Sequence, residues 1–432
     1  MRRVLASMMV WLLVLSAFAQ QAPQIPCNPP PSGIDIALPL NQPDRYAWQL
    51  FVQVNQMAAP QFQHKIGSVT TNSAVWETWP DDPWTFPANP DPANPPKWPD
   101  APFLKNLHPK GKGTHATHTA LLAGNNKFIL DTGGEEIHRN RATFDYIIKN
   151  NLWYTQGIAA FVAKGAPANL PTDSIEVKGN WISIKESDKS KYHWNYDEQG
   201  NLWGLVAMHI TSKAIPNWFW ATFESVYNPG RCDYIGCADC FGTIPAFVPS
   251  NTCPPTGTCP PTAVGQIYPP GSVTPALDAL YAKGGYSGDW LTQYKNYRLK
   301  GSMTDFTTPT GDPILLGNSV TEQSFLQTAS CMTCHSRAAV TASGANAFPF
   351  FGEAPSLPKH EPFGQALQMA VPPQFQSQNT TYNGPPDPNW YMSYNDTNNW
   401  TVIATQMDFV WAIPFQANPV KTTTTPPPPA RK

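Results

Sequence analysis

The chain has 432 residues, of which only 13% are charged, and its formal net charge at pH 7 is −2. This balance argues against a nucleic-acid-binding protein, because such proteins carry excess basic charge. The sequence also contains 48 prolines and 16 tryptophans, which is typical of a compact protein with long, rigid, aromatic-rich loops.

Residues 1–19 have the pattern of a secretory signal peptide. Two arginines precede an apolar run at 4–15, and Ala17-Phe18-Ala19 is a small-x-small cleavage site. The apolar run is shorter than the ~20 residues that span a bilayer, which argues against a membrane anchor. We therefore expect a bacterial periplasmic or secreted protein that is cleaved near Ala19 and has no membrane span.

A proline-rich arm at 20–43 precedes a region, 44–265, that predicts a β-rich lobe. Asp44 is placed to cap a helix whose apolar side chains recur at helical spacing as far as Met57. Three segments predict strands. Residues 174–181 alternate apolar and polar, residues 202–210 are apolar at both odd and even positions, as in a strand covered on both faces, and residues 217–224 are rich in aromatics.

The acidic pair Glu135-Glu136, followed by His138, predicts the first turn of a helix that ends near Asn151.

Five cysteines occupy one loop at 232–259, and a sixth lies in the N-terminal arm; the set is Cys27, Cys232, Cys237, Cys240, Cys253 and Cys259. In an exported chain they predict three disulfides, although six cysteines allow fifteen pairings and the sequence does not choose among them. Cys237-x-x-Cys240 with the two later cysteines leaves a zinc site as the alternative.

The region 266–420 changes to helical periodicity and contains C-x-x-C-H once, as Cys331-Met332-Thr333-Cys334-His335. A capping box at 319–322 and apolar residues at 325, 329 and 332 predict a helix that ends at this motif. C-x-x-C-H is the pattern by which haem is attached through two thioethers, with the histidine as the proximal iron ligand. A thioredoxin-like redox pair and half a zinc site are the alternatives, and neither requires the histidine.

We therefore predict one covalently bound haem c, held by Cys331 and Cys334, with His335 on the iron. The sixth ligand of the haem iron decides whether the haem transfers electrons or can bind and activate a small molecule. His209 is the first candidate, because an imidazole in an otherwise apolar strand needs a strong partner. A core histidine hydrogen-bonded to the backbone or to a tryptophan N–H is the alternative, and Met392 and Met407 are further candidate ligands.

Several blocks resemble the recurring blocks of a large, mostly uncharacterised group of bacterial exported cytochrome c-family proteins; they lie at 75–79, 175–178, 204–210, 218–224, 330–335 and 408–411. The resemblance implies haem attachment to Cys331 and Cys334 and iron ligation by His335. It implies no settled biochemical role.

The sequence thus predicts an α+β fold with a β-rich layered lobe, a helical haem-bearing segment, proline-rich loops and a disordered tail at 421–432. The expected function is one-electron transfer in the periplasm, with a redox partner protein or a small-molecule donor or acceptor. An open sixth position would instead permit peroxidase or oxygenase chemistry, and a haem-bearing sensor or docking module is the third interpretation. The sequence assigns no catalytic residue, and the absence of a phosphate-cradling glycine loop disfavours nucleotide chemistry.

Overall fold

The computed structural model describes residues 38–63, 65–66, 69–100, 134–250, 265–309, 314–322, 326, 329–348, 385–386, 391–394 and 400–421. The predicted signal peptide, the arm up to residue 37 and the tail from residue 422 lie outside these ranges. Cys27, Cys253 and Cys259 also lie outside them.

The described helices are α1 (Leu38–Asn41), α2 (Pro43–Val54), α3 (Asp82–Thr85), α4 (Arg141–Lys149), α5 (Thr155–Val162), α6 (Pro275–Lys283), α7 (Gly288–Tyr294), α8 (Cys331–His335) and α9 (Ala412–Gln416). The longer strands are β3 (Gly134–Arg139), β4 (Ile175–Ser183), β5 (Trp194–Tyr196), β6 (Leu202–Ser212), β7 (Phe219–Ser225) and β12 (Tyr297–Met303). Shorter strands are β1 (Lys65–Ile66), β2 (Val69–Thr70), β8 (Cys237–Ala238), β9 (Thr243–Ile244), β10 (Phe247–Val248), β11 (Ser272–Val273), β13 (Ala339–Val340), β14 (Met392–Tyr394), β15 (Trp400–Val402) and β16 (Thr405–Gln406).

The centre of the fold is an antiparallel sheet in the order β12-β7-β6-β4-β3, with β5 also paired to β6. Its register places His209 of β6 between Lys178 of β4 and Thr222 of β7. The mixed α and β fold is confirmed at this level, as are the three strands predicted in the central region. β12 was not predicted, and it lies in the region where the sequence indicates helices.

One face of the sheet carries the first apolar core. Because side chains alternate between faces along a strand, every second residue of β4, β6 and β7 points to this side, apart from one shift at the bulge between Leu205 and Ala207 of β6. Helices α2, α6 and α7 cover it, and the buried members include Trp48, Phe51, Val177, Trp181, Leu205, Met208, Ile210, Phe223, Tyr281, Tyr294 and Leu299. Burial of these large aromatic side chains is the main stabilising contribution on this side.

The opposite face is mixed. Trp220 joins a second apolar core that contains Ile147 of α4, Ile158 of α5, Met332 of α8 and Ile413 of α9, together with Met407. Beside it, the same face carries buried or half-buried polar side chains from β4, β6, β7 and β12, namely Lys178, His209, Thr222, Glu224 and Lys300. A polar layer of this kind needs partners, because unpaired polar groups are costly away from water.

Two local predictions are wrong. Glu135 and Glu136 do not begin a helix but lie in strand β3, where Glu135 contacts Lys178 Nζ at 3.2 Å and Glu136 accepts a bond from the Trp181 indole. Asp44 does not cap α2, whose N-cap is Gln42. Its carboxylate instead accepts bonds from the Cys240 backbone N–H at 2.7 Å and a serine hydroxyl of β12, and so ties the helix to its neighbours.

The described cysteines of the loop are oxidised. Cys232 and Cys237 form a disulfide, and Cys240 is also disulfide-bonded. The three loop cysteines that are described therefore agree with the disulfide prediction. Because a disulfide sulfur is not a thiolate, the pair Cys237 and Cys240 is removed from the zinc alternative.

Candidate haem site

The motif itself forms a helix of one turn, α8. Ser330 before it is extended, with φ −139° and ψ 106°, and forms a bridge with Leu316. The backbone of Cys334 then donates to Ser330 at 3.0 Å, which closes the first turn. The prediction of a helix ending at the motif is thus wrong, because the helix begins there. The predicted cap also fails, since the Ser319 hydroxyl bonds Glu224 of β7.

Cys331 and Cys334 lie on the same side of this turn, because residues three apart on a helix are neighbours. Both are free thiols, and both keep partial exposure to solvent. Burial raises the pKa of Cys331 well above its ordinary value and that of Cys334 to about 11. The motif thiols therefore remain protonated near neutral pH, whereas the described loop cysteines are oxidised.

The His335 ring has a defined orientation. Its Nδ1 lies 2.9 Å from the backbone carbonyl of Phe409, and since a carbonyl can only accept, Nδ1 carries the proton. Desolvation lowers the pKa of His335 to about 4, so the ring is neutral at pH 7. In this tautomer Nε2 holds the free lone pair, which is the donor that a metal requires.

The segment 407–411 supports the motif helix from one side. The Met407 backbone donates to the Ala338 carbonyl at 2.7 Å, the Phe409 carbonyl accepts from His335, and the Trp411 indole donates to the Cys334 carbonyl at 3.2 Å. These contacts join residues that are about 70 positions apart. The only sequence signal for them is the block at 408–411.

The second support is Trp220 of β7. Its ring centroid lies 4.5 Å from that of His335, with an angle of 52° between the planes. The indole is 4% exposed, and its N–H donates to the Asn217 carbonyl at 3.1 Å. The imidazole of His335 is therefore held by a hydrogen bond at one atom and by ring packing.

His209 has two polar side-chain partners in the structure. Its Nε2 lies 3.0 Å from Asn318 Nδ2 and 3.3 Å from Glu322 Oε1. An unprotonated Nε2 accepts from the amide, and a protonated one donates to the carboxylate. Asn318 in turn donates to the Thr222 hydroxyl at 3.2 Å, which fixes the loop to the sheet.

The polar layer lies close to the motif. The charges of Lys178 and His209 lower the pKa of His335, and that of Glu322 raises it. Lys178 and Glu322 likewise affect the pKa values of the two motif thiols. The structure therefore brings His209 into the neighbourhood of His335, together with Glu322 and Lys178, which were not among the predicted site residues.

The two methionine candidates occupy different surroundings. Met407 is fully buried in the second core, which also contains Met332 of the motif. Met392 lies on β14, where it pairs with Val402.

A separate cleft of about 480 Å³ lies beside the first core, with Met57, Trp194 and Trp290 among its lining residues. No motif residue lines it. Within the described ranges, no group of three or more His, Cys, Asp or Glu side chains is arranged to hold a metal ion. In that same part of the chain, no helix has both the length and the apolar character needed to cross a membrane.

Comparisons with known proteins give no further assignment: no family model, no curated protein and no solved structure matches the chain. The resemblance to exported cytochrome c-family proteins therefore stays a prediction.

Proposed function

We propose that the protein is an exported monohaem c-type cytochrome that transfers single electrons in the periplasm. The observation that carries the proposal is the hydrogen bond from His335 Nδ1 to the Phe409 carbonyl, made on the same helical turn that holds two free cysteines. Cys331 and Cys334 would hold the haem by thioethers, and His335 Nε2 would bind its iron. When bound, the haem would supply a centre that accepts and returns one electron.

The residues present suit that group. Iron needs a neutral imidazole, and desolvation keeps His335 neutral. The backbone carbonyl on Nδ1 fixes the tautomer and strengthens Nε2 as a donor, a common arrangement around metal-binding histidines. In an oxidising compartment an unused C-x-x-C pair would be expected to form a disulfide, as the loop cysteines do. The partly exposed motif thiols are available for attachment.

For the sixth position we propose His209, which would give a bis-histidine site. The support is its place on the sheet face nearest the motif. Ligation through Nε2 requires that atom to exchange its contacts with Asn318 and Glu322 for iron.

Those same contacts favour a second candidate function, a peroxidase or oxygenase with an open sixth position. If His209 keeps its bonds to Asn318 and Glu322, the two ionisable side chains can hold and move a proton beside the motif, with Lys178 close to both. General acid–base groups at such a position are what peroxide or oxygen chemistry requires.

Haem staining after denaturing electrophoresis tests the attachment. Colour should stay with the wild-type chain and disappear when Cys331 and Cys334 are both replaced by Ala. The matched control replaces the disulfide pair Cys232 and Cys237 by Ala, and its chain should keep the colour. Loss of colour from the wild-type band on denaturation would rule out thioether attachment.

Addition of carbon monoxide to the reduced protein tests the sixth ligand. A bis-histidine site predicts no rapid Soret shift in the wild type and a clear shift in His209→Ala. Met392→Ala serves as the control and should behave as the wild type does. A rapid shift in the wild type would instead support the open-site candidate.

A further inference from the structure

The carbonyl that orients His335 lies in a strained turn. Asp408 and Phe409 have φ angles of 51° and 67°, in the left-handed region that bulky side chains rarely adopt. This conformation directs the Phe409 carbonyl to His335 Nδ1. Residues in sparsely populated regions keep that conformation only when their surroundings hold them there.

The contacts of the Asp408 carboxylate stabilise this turn conformation. Its Oδ1 lies 2.5 Å from Lys213 Nζ and accepts a bond from the Trp218 indole at 3.3 Å. Its Oδ2 accepts from the Leu170 backbone N–H at 2.6 Å. The Lys213 and Asp408 side chains are 8% and 6% exposed, so solvent screens their ion pair little.

The anchor points of this carboxylate are rigid. Lys213 directly follows β6, and Trp218 directly precedes β7, the strand that carries Trp220. Lys213 also donates to the Pro216 carbonyl at 2.9 Å, which fixes its ammonium group. The Asp408 carboxylate therefore ties the strained turn to the same sheet that packs on the His335 ring.

We propose that Asp408, paired with Lys213, is a positioning residue for His335, and that through the Phe409 carbonyl it sets the reduction potential of the haem. The inference rests on the proposed function. A hydrogen bond on Nδ1 makes the imidazole a stronger donor, and a stronger donor stabilises oxidised iron. Weakening the turn therefore weakens this bond and raises the reduction potential.

The test is the midpoint potential of the purified haem-loaded protein carrying Asp408→Asn or Asp408→Ala. Asparagine tolerates the left-handed region and keeps a hydrogen-bond acceptor, but it removes the negative charge. Alanine removes both the acceptor and the charge. We expect the potential to rise in both variants and most in Asp408→Ala. There the ratio of reduced to oxidised haem at the wild-type midpoint should rise by about tenfold, which is 59 mV for one electron. Lys213→Met should shift the potential in the same direction.

Glu77→Gln is the matched control. It neutralises one partner of another buried pair, Glu77 and His193, whose atoms are 2.7 Å apart. It should lower the melting temperature without moving the potential. If the Asp408 and Lys213 variants also lose thermal stability and keep the wild-type potential, the positioning role is refuted and the ion pair is structural only. A wild-type chain without covalent haem would instead overturn the proposed function itself, and haem staining of the same samples distinguishes the two failures.

Discussion

Asp44 should make the protein more stable as the pH falls from 7 towards 4. Desolvation, reinforced by the nearby charge of Asp239, raises the pKa of Asp44 from 3.8 to about 6, despite the bonds from Cys240 and Ser302. The folded state therefore binds a proton more tightly than the unfolded chain does. Linkage then requires this contribution to be fully present below the unfolded pKa and to be lost as the pH rises through about 6.

The size of the effect follows from the shift. One pKa unit corresponds to ~1.4 kcal/mol, so Asp44 changes the free energy of unfolding by at most about 3 kcal/mol. Of this limit, roughly 2 kcal/mol is gained between pH 7 and pH 4. This limit is an upper value, because part of the Asp44 surface is still accessible to water. Asp44 and Asp239 influence each other, so the titration observed belongs to the pair.

The assay is urea unfolding of the wild type and Asp44→Asn at pH 4, 5, 6 and 7. Groups that titrate identically in both proteins cancel in the difference between their free energies of unfolding. That difference should move in favour of the wild type by roughly 2 kcal/mol as the pH falls to 4. A difference that stays constant, or that moves in favour of the variant on acidification, would refute the argument.

Three further predictions concern the site and the loop. Trp220→Ala should lower the melting temperature and broaden the ferric electron paramagnetic resonance signal, because the His335 ring loses its packing partner. Trp220→Phe should keep most of the wild-type melting temperature and signal width. Identical spectra for the two variants would count against this contact. Replacing Cys232 and Cys237 by Ser should lower the free energy of unfolding by about 2 kcal/mol, measured by urea titration, and an unchanged value would mean that the disulfide does not restrict the unfolded chain. Thiol titration of the unfolded, unreduced protein should find no free cysteine, and several free thiols with stoichiometric zinc would contradict the three-disulfide prediction.

The sheet was predictable because its signals are local. The alternation of apolar and polar residues at 174–181 and the continuous apolar run at 202–210 are visible within a few residues, and β4 and β6 are found there. Strand β12 has a local signal as well, because Tyr297, Leu299 and Met303 alternate with Arg298, Lys300 and Ser302. It was not predicted because the surrounding region, 266–420, has helical spacing, and that spacing was given precedence over a short alternation.

The candidate site was predictable only in part, because only part of its signal is local. C-x-x-C-H is contiguous, so its three side chains could be named in advance. The Phe409 carbonyl that orients His335 belongs to a residue 74 positions away. Phe409 lies in the block at 408–411, but the block does not indicate which group its backbone carbonyl contacts. For His209 the need for a partner could be predicted from its apolar strand. The identity of that partner depended on how the loop at 318–322 folds over the sheet.

The most direct test of the central claim is intact-mass and peptide-mass spectrometry of the denatured, exported protein. Covalent haem c predicts that the mature chain is heavier by one haem, and that the added mass lies on the peptide containing Cys331 and Cys334. An exported chain without added mass, whose peptide carries Cys331 and Cys334 as free thiols or as a disulfide, would contradict it.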